Sequence, residues 1–190
     1  MPLPRFQRLP ADAQTAFLDV ARAHFARDGR DAASLARIVE DAGVSKSSAY
    51  HYFDGKDDLF VTVAADTLVR ISTVLGPWPG ADSEAELWER FHDASARLSG
   101  FLLAHPVHRA LLERIDAQAE PSPWLRAFFA NAVALGLVDT APNAQLLEDA
   151  TLALLQATDR WALPRLSSPG AAEAVSVAAE ALLRRLWRGG

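Results

Sequence analysis

Apolar residues recur at helical spacing along almost the whole chain, and no stretch sustains the alternation of a half-buried strand. That pattern confines a 190-residue chain to an all-α architecture. Glycine and proline fall mostly between the periodic segments and so set the helix limits. Phe17, Val20, Ala21, His24 and Phe25 share one face of a helix expected over 11–28, which Gly29 would end. A short helix over 34–42 presents Leu35, Ile38, Val39 and Ala42, and Gly43 can take the left-handed conformation that stops it. Ser45 is a good N-cap for a third short helix, which turns Ala49, Tyr52 and Phe53 inward. After Gly55 a helix runs over 56–75, long enough to span about 30 Å.

The segment "GPWPGAD" reads as a linker between two subregions. Beyond it, Ser83, Ala85 and Glu86 fit a capping box that opens a helix to residue 104. Further helices are expected over 106–118, 123–137, 143–163 and 169–188, which makes nine helices and no strand. His105-Pro106, Ser122-Pro123 and Ser168-Pro169 each place proline where a first helical turn accepts it, and the two serines can cap.

Several function classes are disfavoured by what the chain contains. It has no cysteine, so disulfides, thiolate chemistry and Cys-ligated zinc are excluded, and a cytoplasmic location is the simplest expectation. No apolar run reaches the ~18 residues of a membrane span, and the first ten residues have no signal-peptide core. There is no GxSxG, phosphate-binding loop or dinucleotide glycine pattern, so no enzymatic activity and no cofactor are expected. His105 and His108 have a metal-pair spacing with Glu113 downstream, but the proline between them at a helix start argues against a metal. His24, on an apolar face, is expected to be a packed, hydrogen-bonded core residue.

The segment 43–53, "GVSKSSAYHYF", crowds serines, a lysine, tyrosines and a histidine behind a glycine. Two short helices joined by a tight glycine turn make a helix-turn-helix, here over 34–53, whose second helix can lie in a DNA major groove. Ser45 would leave the amides of that helix facing a phosphate. Lys46, Ser47 and Ser48 sit on its first turn, where base edges are nearest, and Tyr50 and His51 can reach phosphate oxygens. Lys56 would reinforce an anion site at the next helix. The net charge is −5, and residues 1–60 carry eight basic against nine acidic side chains, so any attraction for DNA must come from local geometry.

The run "FLDVARAHFARDGRDAASLARIVEDAGVSKSSAYHYFDGKDDLF" resembles the DNA-binding domain of the TetR family of bacterial transcriptional regulators, over residues 11–71. The chain departs from the family pattern at Ala49, at Gly55 and at His24, where leucine is common. The resemblance implies that Ser34 and Arg37 hold flanking phosphates and that the helix over 45–51 reads a palindromic operator. It also implies that residues 82–190 form an effector-binding and dimerisation domain. For the homodimer interface, the stripes Leu147, Ala150, Leu154, Thr158, Trp161 and Val175, Ala178, Leu182, Leu186 suit a four-helix contact. For an apolar or aromatic effector, Phe101, His105, Trp124, Phe128, Phe129 and Gln156 combine aromatic walls with polar groups. Two alternatives stand beside a ligand-responsive repressor. One is a helix-turn-helix dimer without a small-molecule effector, and the other a helical ligand-binding protein that has lost DNA binding.

Overall fold

The computed structural model describes residues 2–45, 48, 51–115 and 122–188. Among these residues there are nine α-helices, a 3-10 turn at Leu163–Arg165 and no strand. In chain order the helices are α1 (Pro4–Gln7), α2 (Ala11–Ala32), α3 (Leu35–Asp41), α4 (Lys56–Leu75) and α5 (Glu84–Ala104). They continue as α6 (Pro106–Leu112), α7 (Pro123–Ala134), α8 (Ala144–Ala162) and α9 (Pro169–Trp187). Among the described residues no helix is long and apolar enough to cross a membrane. The chain forms two compact units, Met1–Arg70 with His105–Ile115, and Ile71–Ala104 with Asp116–Gly190.

In the first unit, Phe17, Leu18, Ala21 and Phe25 of α2 pack against Ile38 of α3 and Leu59, Phe60 and Val63 of α4. The short α1 escaped the periodicity argument because four residues cannot display a period. It is held by Phe6, whose ring meets those of Phe17, Tyr52 and Phe53 at centroid distances of 5.9, 5.9 and 4.7 Å. A buried cation ties α2 to α4. Arg22 is 1% exposed and donates through Nε to Thr67 Oγ1 at 3.0 Å, while its Nη atoms contact Asp19 and Asp66. Arg70 adds a 2.8 Å bond to Asp66.

The regular helix of α2 breaks at Gly29, as its sequence cue predicts: Gly29 has φ 78° and ψ 172°, a region open essentially to glycine alone, and a short further turn carries α2 to Ala32. The break frees carbonyls, and Arg114 answers them: its Nε donates to Ala26 O at 3.0 Å and its Nη2 to Arg27 O at 3.3 Å. Helix α6 stops at Leu112, and residues 116–118 of the expected helix 106–118 lie outside the described residues. Its end tightens into bonds from Arg114 N to Leu111 O and from Ile115 N to Leu112 O, which turn Arg114 toward α2. Gly29→Ala is expected to cost about 2 kcal/mol, because alanine disfavours that conformation. A Cβ there would also lie 3.0 Å from Arg114 Nη1. Urea denaturation measures it, and a loss below about 0.5 kcal/mol would mean that the break relaxes.

His108 of α6 stays neutral in this unit. Burial pushes its imidazole down to about 4, with Arg22, Arg70 and His105 repelling the cation and Asp19 partly offsetting them. The unfolded chain takes up the proton near 6.5, so this contribution is complete above that pH. It is lost as pH falls toward 4. Allowing for partial solvation of the ring, it amounts to roughly 1–2 kcal/mol. Urea midpoints measured from pH 7 to 4 should therefore fall more steeply for wild type than for His108→Phe.

The second unit is built around aromatic rings. Trp88, Phe91, Trp124, Phe128 and Trp187 are all at most 7% exposed, and Trp88 stacks on Trp187 with centroids 5.4 Å apart. Trp187 Nε1 is satisfied by Thr151 Oγ1 at 3.0 Å, and Trp78 Nε1 by Asn131 Oδ1 at 2.8 Å. The caps form at Ser83, Ser122, Asn143 and Ser168, which accept from the backbone of Glu86, Trp124, Leu146 and Ala171. Glu86 reaches back to the N–H of Asp82 rather than Ser83, so the capping box is displaced by one residue. Helix α7 ends at Ala134 rather than 137. Gly136, at φ 70°, lets Gly136 N and Leu137 N bond to Val133 O and Ala132 O and close the helix early.

Candidate nucleic-acid interface

The candidate interface is set by how α3 begins and ends. Ser34 accepts from Arg37 N at 3.5 Å and caps the helix, and the Arg37 side chain is exposed on its first turn. At the other end Gly43 has φ 66°, Gly43 N bonds to Glu40 O at 3.0 Å and Val44 N to Val39 O at 3.1 Å. This pair of bonds is a Schellman stop, which depends on a residue that tolerates the left-handed region. Ser45 follows at once. Its Oγ accepts from Ser48 N at 3.2 Å and lies 2.8 Å from Ser48 Oγ, so a new cap opens two residues after the old helix closes. A helix stop and a helix start this close force an abrupt change of direction, as a helix-turn-helix requires.

Of the residues expected to meet DNA, Ser34, Arg37, Ser45, Ser48, His51 and Lys56 lie in this one unit. Arg37, Ser45 and His51 are exposed, whereas Ser34, Ser48 and Lys56 are half-buried. Lys46, Ser47 and Tyr50 fall outside the described residues. Both serine caps spend their side-chain acceptors inside the protein, on Arg37 N and Ser48 N. Lys56 Nζ donates to Asp31 O at 2.5 Å.

Three acidic residues of this region have partners: Asp28, Asp57 and Asp58. Arg27 hydrogen-bonds Asp28 and holds its carboxyl below the ordinary range, and Arg30, 2.9 Å from Asp57, does the same there. Asp58 accepts from Asp54 N at 3.2 Å. His24 is buried and bonded to Asp41 at 2.7 Å, in the packed, hydrogen-bonded setting expected for it.

In the second unit, Trp124, Phe128 and Phe129 come together as core, with Phe128 fully buried and stacked on Trp124 at 5.7 Å. Phe101 and Gln156 are half-buried in the same unit, whereas His105 belongs to the first. A groove of about 270 Å³ opens beside Trp124, lined by Pro79, Arg90, Asp93, Ala94 and Arg97. Sequence periodicity missed these polar lining residues because they occupy the ordinary solvent face of α5. His105 and His108 face each other at 5.6 Å, and among the described residues no group of three or more metal-ligating side chains occurs.

For the stripes assigned to dimerisation, Trp161, Ala178 and Leu182 are exposed. Ala150, Thr158 and Val175 are half-buried, and Leu147, Leu154 and Leu186 pack partly against the core. The exposed large apolar residues of this unit, Leu146, Trp161, Val177 and Leu182, all sit on α8 and α9. Leu146 and Val177 were missed because each lies one position from the stripe that periodicity selected.

The architecture and its turn define an all-helical helix-turn-helix protein. Residues 17–63 match the family described as bacterial regulatory proteins, tetR family. That family is one of regulators, not enzymes. Over 66 residues, 35% of each chain, it is 30% identical to the HTH-type transcriptional repressor AcnR of Corynebacterium glutamicum. To the AcnR of Corynebacterium diphtheriae it is 33% identical over 100 residues, 52% of this chain and 45% of that one. The chain thus spans about a third to a half of the length of these relatives. It shares its fold with a TetR-like transcriptional regulator from Rhodococcus sp. RHA1, at TM-score 0.60 and 23% identity over 92% of this chain and 99% of that one. The same holds for a putative tetR family transcription regulator from Shewanella sp. PV-4, at TM-score 0.66 and 18% identity over 92% and 97%.

Proposed function

We propose that this protein is a sequence-specific DNA-binding repressor that acts in the cytoplasm as a homodimer on a twofold operator. The observation that carries this reading is the turn itself, in which a glycine-dependent helix stop at 42–44 meets the Ser45 cap. It aims the segment 45–51 as a reading helix, with Arg37 and Lys56 beside it for phosphates. Single recognition helices bind weakly, and a second copy placed about 34 Å away reads the next turn of the same duplex face. The exposed apolar faces of α8 and α9 supply a surface for that second copy. The AcnR proteins are named as repressors, which supports repression over activation.

A small apolar or aromatic effector would release the DNA only by binding the non-reading arrangement more tightly. The packed ring core of the second unit, with Phe128 and Trp187 almost without exposure, favours a second reading. In it the protein dimerises and represses with no small-molecule effector. The test of the main proposal is selection from a pool of random duplexes by the purified full chain. Recovery of an inverted repeat with half-sites one helical turn apart is the expected result, and a pool that stays random would refute it.

A further inference from the structure

We infer that His24 is a positioning residue for the DNA-reading segment: by bonding Asp41 it locks the C-terminal end of α3, and with it the turn that aims residues 45–51. The inference rests on the DNA-binding function proposed above. The imidazole is 5% exposed and sits on the otherwise apolar face of α2. A buried ring must satisfy both nitrogens. Nδ1 lies 3.0 Å from Arg27 Nη2, and a guanidinium can only donate, so Nδ1 is the acceptor and carries no proton. The proton of the neutral ring is therefore on Nε2, which donates to Asp41 Oδ2 at 2.7 Å. Arg27 thus selects the one tautomer that can hold Asp41.

Asp41 needs such a partner. It is the last residue of α3, where the helix presents its negative end and a carboxylate is unfavourable. Its side chain is 59% exposed, so without His24 it is free to swing into water. The next residue is the C-cap Ala42, followed by Gly43 and Val44, whose amides make the stop. Fraying by one residue at Asp41 would undo both bonds and let the direction of the following helix vary. Leucine at 24 would fill the same apolar site but could not hold this carboxylate.

The test uses the full chain with His24→Leu, His24→Gln and Asp41→Ala. Operator affinity is expected to fall about tenfold in His24→Leu and in Asp41→Ala, the size of one lost charge-assisted bond. His24→Gln, whose amide offers one donor and one acceptor, should recover affinity to within about threefold. A merely structural histidine would not be rescued this way. Amide exchange at Gly43 and Val44 is the second readout and does not depend on DNA. It should accelerate in His24→Leu and Asp41→Ala and return toward wild type in His24→Gln. If wild type bound no operator but exchange followed this order, the function would be wrong and the lock right. Exchange at Gly43 and Val44 unchanged in both Asp41→Ala and His24→Leu would overturn the inference, as would wild-type operator affinity in both. Should His24→Leu fail to fold, Asp41→Ala alone decides, since its side chain is exposed.

Discussion

Arg22→Met will destabilise the protein by about 2–4 kcal/mol in urea denaturation, more than any surface charge removal will. The guanidinium is almost wholly buried and meets Thr67, Asp19 and Asp66 at once, so its loss strands acceptors that belong to two helices. The full cost of breaking a buried pair will not be reached. Asp19 is 51% exposed and Asp66 28%, and Arg70 stays close to both, at 3.5 and 2.8 Å. Arg22→Lys should recover part of the loss, since a lysine brings one charged centre but cannot span three separated acceptors. A midpoint within experimental error of wild type for Arg22→Met would show that the cluster contributes nothing net.

The double substitution Trp161→Glu with Leu182→Glu is expected to yield a folded monomer that binds operator about 10²–10⁴-fold more weakly. Both side chains lie largely in solvent, at 55% and 44% exposure, so neither change should disturb the aromatic core. Charges placed on both α8 and α9 would oppose their copies across a twofold contact. The weakening follows because the second reading head then has to bind from solution instead of from a tethered position. Sedimentation velocity reports the dissociation and filter binding the affinity. A variant that remained dimeric would place the interface on other faces.

Much of the fold could be read from residues alone, and the exceptions have physical causes. Helix α4 was expected over 56–75 and occupies Lys56–Leu75, because Gly55 fixes its start and an unbroken apolar period runs through it. Gly29 interrupts α2 where its cue says, but its capping by Arg114, 85 positions later in the chain, carries no local signal. Gly136 is a stop to which the apolar run 123–137 gave no weight. The turn of the interface was legible because Gly43 and Ser45 are local signals, a helix stop and a helix cap. The role of Asp41 was not legible, because its partner His24 lies 17 residues earlier, on another helix. Ring-to-ring packing around Phe128 was equally invisible, since aromatic spacing along α7 fits a pocket wall and a filled core alike.

The measurement that bears most directly on the central claim is a salt series of operator binding by wild type, Lys46→Ala and Tyr50→Ala. If Arg37, Lys46 and Lys56 of each protomer neutralise phosphates, the logarithm of the wild-type binding constant should fall with that of salt at a slope of about −5. Lys46→Ala removes two cations from the dimer and should flatten the slope by about 2. Tyr50→Ala should weaken binding at every salt concentration and leave the slope as it was. Binding no tighter than to random duplex, or slopes and affinities that neither substitution moves, would contradict the assignment of residues 45–51 as the reading helix.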